Sequence, residues 1–210
     1  MGLLLHAISA ASLTPNQNKQ LAALGVCGYC CSGIKGLTTA YEPAAIKTAS
    51  REHLLSYSQL IESTRHIVDI IPMRYGSVFD DEALLYQALA RNSEYFTQQL
   101  AEIAGCVEMS VRIPIAPTAN PVPTPLTGQE YLQVKQQQAA KPRATFERIT
   151  AAAAGRYIKK KVDHRPVSAV LHLHFLVKHT EVNEFKRCIA ALQLSQLVLT
   201  GPWAAYNFVN

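Results

Sequence analysis

Apolar residues recur with two periods along this chain, and the switches between them mark its elements. A period of two runs from Cys106 to Ile113, where Val107, Met109, Val111 and Ile113 alternate with Glu108, Ser110 and Arg112. Such alternation predicts a strand with one buried face. It returns from Val167 to Val177, with Val167, Ala169, Leu171, Leu173, Phe175 and Val177 on one side. A helical period links Leu54, Tyr57 and Ile61 behind the N-capping Ser50, and predicts a helix to about Arg65. The clearest helix follows Asp80-Asp81-Glu82, acids that suit a helix N-terminus, with Leu85, Leu89, Phe96, Leu100 and Ile103 on one face and Gly105 as its stop.

Shorter signals fill the rest. Residues 3–11, Ile34–Tyr41 and Ile67–Ile71 read as strands, while 12–32 is mixed. The first part therefore predicts an antiparallel or mixed sheet with helices on one face, an α+β sandwich of ferredoxin-like type. Residues 114–126 carry proline at nearly every second position and read as an extended, semi-rigid linker. Thr127-x-x-Glu130 has the form of a capping box that restarts a helix, which Pro142 kinks or splits. Phe146, Ile149, Ala153 and Tyr157 continue an apolar stripe, Thr180 caps a helix with Phe185, Ile189 and Leu192, and Gln196–Leu199 reads as a last strand. The expected organisation is a ferredoxin-like domain over 1–113, the linker over 114–126, and a smaller α+β domain over 127–210.

Composition narrows the function classes. The 210 residues are 49% hydrophobic and 17% charged, which describes a folded chain. No apolar run approaches the roughly 20 residues that span a bilayer. The apolar start lacks a basic leader and is interrupted by His6, so a signal peptide is not expected. Five cysteines form no even framework, which suits a reducing cytosol. The net charge of +5 is uneven: acids outweigh bases from Arg51 to Glu108, and bases dominate from Lys135, densest at Arg156–Lys161. The basic run lacks an aromatic platform apart from Tyr157, so a solvated helix face is the default over nucleic-acid binding.

Candidate chemistry is thin. Cys27-Gly-Tyr-Cys30-Cys31 has the Cys-x-x-Cys spacing, but a thioredoxin-type pair should open a helix, and the flanking glycines argue against one. A zinc site would need two further ligands. His172-x-His174 shares a strand face with Ser168 and Lys178, so a solvent-facing strand is the simpler reading. No hydrolase, metalloprotease or phosphate-loop motif is present. No catalytic, cofactor or metal residue is therefore assigned. Arg74, beside a strand expected to be buried, reads as a paired organiser of the sheet edge, with Gly76 supplying a turn.

The end of the chain stands apart. Thr200-Gly-Pro-Trp-Ala-Ala-Tyr-Asn-Phe-Val-Asn210 holds the one tryptophan. Trp203, Tyr206 and Phe208 are too apolar to leave in water, so the tail docks on its own core or on a partner, with docking between the two modules favoured. Gly201-Pro202-Trp203-x-x-Tyr206-x-Phe208-Val209 resembles the closing signature of the GvpF/GvpL family of gas vesicle proteins. Ile70-Ile71-Pro72-Met73-Arg74-Tyr75-Gly76-Ser77-Val78-Phe79 is similar to that family's central motif, and Thr127-Gly-Gln-Glu-Tyr-Leu132 to the start of the helix after its linker. The chain departs from the pattern at Ala204-Ala205, where family tails often carry two prolines, and Leu21–Gly36 matches none of the motifs that carry the resemblance.

The resemblance implies a ferredoxin-like first domain and a non-enzymatic protein of gas vesicle assembly. It would bind the hydrophobic shell-forming subunit and other accessory proteins, without nucleic acid, lipid membrane or cofactor, on the gas-facing side of the shell within the cytoplasm. Pro72, Arg74, Tyr75 and Gly76 would form a scaffold, and Gly201, Pro202, Trp203, Tyr206 and Phe208 a docking element for a partner or for another domain. The alternatives are a thiol-redox or metal enzyme using Cys27 and Cys30, and a nucleic-acid binder using the basic half.

Overall fold

The first nine-residue strand, Gly2–Ala10 (β1), is buried along nearly its whole length, as suits a central strand. It belongs to a computed structural model that describes residues 2–41, 50–114, 127, 143–163 and 170–209. The chain divides into two units, Met1–Val107 with Trp203–Asn210, and Glu108–Pro202. The first boundary falls at 107 rather than 113, because the strand that starts at Cys106 pairs in the second sheet. The tail groups with the first unit, not the second.

In the first unit α1 (Pro15–Ala23), β2 (Cys27–Cys31) and β3 (Ile34–Tyr41) follow β1. The segment 12–32, mixed in sequence, thus holds a helix and a strand. Thr14 opens α1 with a capping box to Gln17 and Pro15 begins it, a signal that the short apolar content of the helix obscured. Then come α2 (Arg51–Arg65), β4 (Ile71–Pro72), β5 (Val78–Phe79), α3 (Glu82–Arg91) and α4 (Ser93–Ile103). The sheet order is β2-β3-β1-β4, with β5 also on β1. Its β-α-β-β-α-β start is the ferredoxin-like arrangement.

Helices cover both faces of this sheet rather than one. Leu21 of α1 and Tyr57 and Ile61 of α2 pack with Leu4, Ala7 and Leu37. On the other face, beside Gly36, lie Leu89 of α3 and Leu5. The long helix expected after Asp81 is two helices: Asn92 ends α3, and α4 begins at Ser93. Asp81 caps α3 by accepting from the Leu84 N–H at 2.8 Å.

The second unit is built on β6 (Cys106–Pro114), β7 (Lys159–Asp163), β8 (Val170–Lys178) and β9 (Val198–Trp203), in the order β7-β8-β6-β9. A helix over 143–152 (α5) and α6 (Val182–Ala190) complete it. Phe175 packs against Phe185 of α6 at 5.2 Å and Tyr157 at 5.1 Å between ring centroids, and Ile149 of α5 and Ala153 just past its end are fully buried. Thr180 lies in a 3-10 turn ahead of α6 instead of capping it. Lys159–Lys161 form the edge strand β7 and not a helix face, because Gly155 turns the chain at φ +76°. The linker, its capping box at Thr127–Glu130 and Pro142 lie outside the described residues, Thr127 excepted.

His174 meets buried partners rather than facing solvent, while His172 is half-buried. His174 Nδ1 lies 2.9 Å from Glu108 Oε1 and 2.9 Å from Ser110 Oγ. Glu108 and Ser110, which alternation placed outward, are buried on the strand that β8 and β9 flank.

Candidate functional site

The central motif and the tail converge on one helix. Ser50 starts α2 by accepting from the His53 N–H, and the helical period then aims Tyr57 and Ile61 at the sheet. Tyr57 is the hub. Its hydroxyl donates to the Met73 carbonyl at 2.8 Å, one residue past Pro72. Tyr75 meets its ring edge-on at 5.2 Å and 86°, and His6 lies at 5.1 Å on β1. Burial holds the Tyr57 hydroxyl far above the usual tyrosine range, so it stays a neutral donor.

His6 supplies a second neutral group. Its Nε2 lies 2.7 Å from Thr39 Oγ1, while Nδ1 has no hydrogen-bond partner. A bare Nδ1 lone pair costs less than a stranded N–H, so we assign the proton to Nε2, which donates to Thr39. Burial lowers its pKa from the ordinary 6.5 to about 4.

The motif residues divide by exposure. Pro72 is buried in β4, opposite Ala7. Arg74 is exposed, which corrects the expected buried, paired organiser; the chain turns there, and its carbonyl accepts from the Ser77 N–H at 3.2 Å and the Ser77 hydroxyl at 2.8 Å. A guanidinium in water needs no partner. Gly76 sits at φ +92° with open space around a would-be Cβ, so backbone conformation alone selects glycine.

The tail anchors by its small residues. Ala204 is 1% and Ala205 3% exposed, and Ala204 lies in the same cluster as Tyr57 and Ile61. The Ala204 N–H donates to Glu62 Oε1 at 3.3 Å. Arg65 holds the other oxygen of Glu62 by Nη2 at 2.7 Å and Nε at 3.0 Å, one turn on along α2. By contrast Trp203 is 43% and Tyr206 41% exposed, and Phe208 is half-buried. Burial, then the Glu62 carboxylate, push the Tyr206 phenol up to about 12. Its open surface weakens the burial part of that shift without changing its neutral state at pH 7. Pro202 follows Gly201 through a cis peptide bond. Gly201 has φ +110°, and a Cβ there would stand 2.7 Å from the Glu108 carbonyl.

Tyr57, Glu62 and His6 were not singled out by sequence as site residues, and Ala204-Ala205 was marked only as a departure from the family pattern. Tyr57 was legible only as a core position, and nothing local marks Glu62 as the tail's acceptor 142 residues away. Cys27 and Cys30 do not form a pair: they lie three apart on a strand, so they point to opposite faces. Among the described residues no group of three His, Cys, Asp or Glu could hold a metal. What the site offers is a fixed aromatic surface with one half-buried carboxylate that Arg65 pairs.

The family model for the gas vesicle synthesis protein GvpL/GvpF matches residues 26–210. The chain belongs to the GvpL/GvpF family. Its fold is that of two crystal structures of gas vesicle protein GvpF. The one from Microcystis aeruginosa superposes with a TM-score of 0.77 at 16% identity, covering 100% of this chain and 99% of that one. The one from Anabaena sp. PCC7120 gives 0.74 at 18% identity, covering 100% and 96%. No curated protein sequence matches significantly. Membership makes this a protein of gas vesicle synthesis, and among the described residues no helix is long and apolar enough to cross a membrane.

Proposed function

We propose that this GvpL/GvpF protein works by binding: it holds the hydrophobic shell-forming subunit, with other accessory proteins, and so supports nucleation or growth of the vesicle from the gas-facing side of the wall. The observation that carries the reading is the division of labour in the tail. Ala204 and Ala205 tie it into the first unit, and Trp203 and Tyr206 keep over two-fifths of their surface open. Rings of this size left in water at a fixed place are typical anchors for a partner. Shell subunits expose apolar area before they assemble and aggregate unless it is covered. The exposed Arg74 turn, packed beside the tail's cluster through Tyr75, gives that surface a positive rim.

The test is a strain lacking the gene, restored with either the wild type or the double variant Trp203→Ala/Tyr206→Ala. Imaging should show vesicles with the first and few or none with the second at equal protein level. Normal vesicles with the double variant would remove the tail from the binding role.

A further inference from the structure

The cysteine-rich segment Cys27-Gly-Tyr-Cys-Cys31 plays no part in the tail surface, yet it forms the open edge β2 of the first sheet. We propose that β2 is a self-pairing edge, through which two copies of this chain associate by antiparallel strand addition about a two-fold axis at Tyr29.

Backbone geometry comes first. β2 and β3 are joined by the two-residue loop Ser32-Gly33, with φ +47° and +83°. Such a loop closes on a hydrogen-bonded pair, here Cys31 with Ile34, and hydrogen-bonded pairs recur at every second residue. Cys31, Tyr29 and Cys27 therefore direct N–H and C=O groups to β3, and Gly28 and Cys30 direct theirs outward. Among the described residues no strand lies beyond β2, and Cys27, Gly28 and Cys30 are exposed.

Charge selects the occupant. Open edges are usually defended by lysine, proline or a bulge. β7 carries Lys159, Lys160 and Lys161, β9 carries Pro202, and β4 ends in Pro72. β2 has none of these and pairs with β3 without a register shift. The charges beside it are already engaged: the Lys35 stem crosses Gly28 and its Nζ donates to Asn18 at 2.9 Å, and Glu82 accepts from the Tyr29 hydroxyl at 3.0 Å. A chain of net charge +5 therefore meets its own copy here along a strand with no charge of its own. Tyr86 of α3, exposed and edge-on to Tyr29 at 5.9 Å, extends the strand with aromatic surface.

The strand also complements itself. With the axis at Tyr29, Gly28 of one copy faces Cys30 of the other, twice, so all four outward N–H and C=O pairs are used. Tyr29 faces Tyr29, and Cys27 faces Cys31, in non-hydrogen-bonded positions. Cα atoms there stand about 4.5 Å apart, within the roughly 4.4–6.8 Å that a disulfide bridges.

The test uses the full chain, kept reduced, in sedimentation runs over a range of concentrations. A dimer is expected. Cys30→Lys, which adds a charge to the outward edge, should weaken it by about tenfold or more. Cross-linking reads the register. Chains that also carry Cys30→Ser and Cys188→Ser are treated with oxidised glutathione, each interchain disulfide consuming two protein thiols and releasing two reduced glutathione molecules. Cys27→Ser alone and Cys31→Ser alone should not cross-link, and their mixture should give a covalent heterodimer. A monomer at every concentration, a dimer equally tight with Cys30→Lys, or cross-linking of either serine variant alone would overturn the proposal.

Discussion

A side chain at position 201 has no room. Its φ of +110° disfavours any L residue, and the Glu108 carbonyl occupies the space of a Cβ. Gly201→Ala should cost about 2 kcal/mol or more, since both strain and overpacking apply. Urea unfolding will show it as a lower midpoint with an unchanged slope. His6 makes a different statement. Its folded pKa, about 4, lies below its ordinary 6.5. The unfolded chain therefore takes up a proton in that window that the folded chain refuses. Its contribution is present above pH 6.5 and is lost as pH falls towards 4, by about 3 kcal/mol at the limit. His6→Gln can keep a bond to Thr39 and does not titrate. Unfolding of the two proteins at pH 7 and pH 4.5 should give a much smaller pH loss in the variant. Equal losses would mean that His6 is not the group responsible.

The elements owe their places to pairing partners more than to their own pattern. β6 reads in sequence as a half-buried strand, and its inward residues are those the alternation predicts. What alternation does not show is that Glu108 and Ser110 meet His174 across the sheet, because polar residues look alike in sequence whether water or an imidazole satisfies them. His174→Leu should destabilise the second unit by about 3 kcal/mol, since it strips a partner from a buried carboxylate. Adding Glu108→Leu should recover part of that loss, because removing both partners is milder than removing one. Thermal melting of the three variants checks the order. The helices show the same limit. Leu85 and Leu89 were legible as core, but the break at Asn92 was not, since the apolar stripe continues across it to Ile103. The 12–32 segment was illegible because α1 buries only Leu21 and β2 is an exposed edge, so neither has a strong period.

At the scale of the molecule, sequence showed two α+β units and a tail too aromatic to leave idle. It left open whether the large rings of the tail dock within the chain or on a partner. Trp203, Tyr206 and Phe208 were expected as docking residues for a partner or another domain; the buried positions are Ala204 and Ala205, and Ala204 packs in the cluster of Tyr57 and Ile61. That choice depends on a cavity shape formed by β1, α1 and α2, which no local pattern reports. It also frees the large rings for another surface. The chain leaves the first unit at Val107 and returns to it at Trp203, so that unit is completed only when the last residues are in place. For this reason point variants at the exposed rings separate binding from folding better than a truncation does. The decisive measurement is the affinity of purified shell-forming subunit for the wild type and for Trp203→Ala/Tyr206→Ala, with both proteins shown to melt alike. Loss of two exposed aromatic anchors should weaken capture by about thirtyfold or more. Equal affinity in a folded double variant would contradict the binding role of the tail.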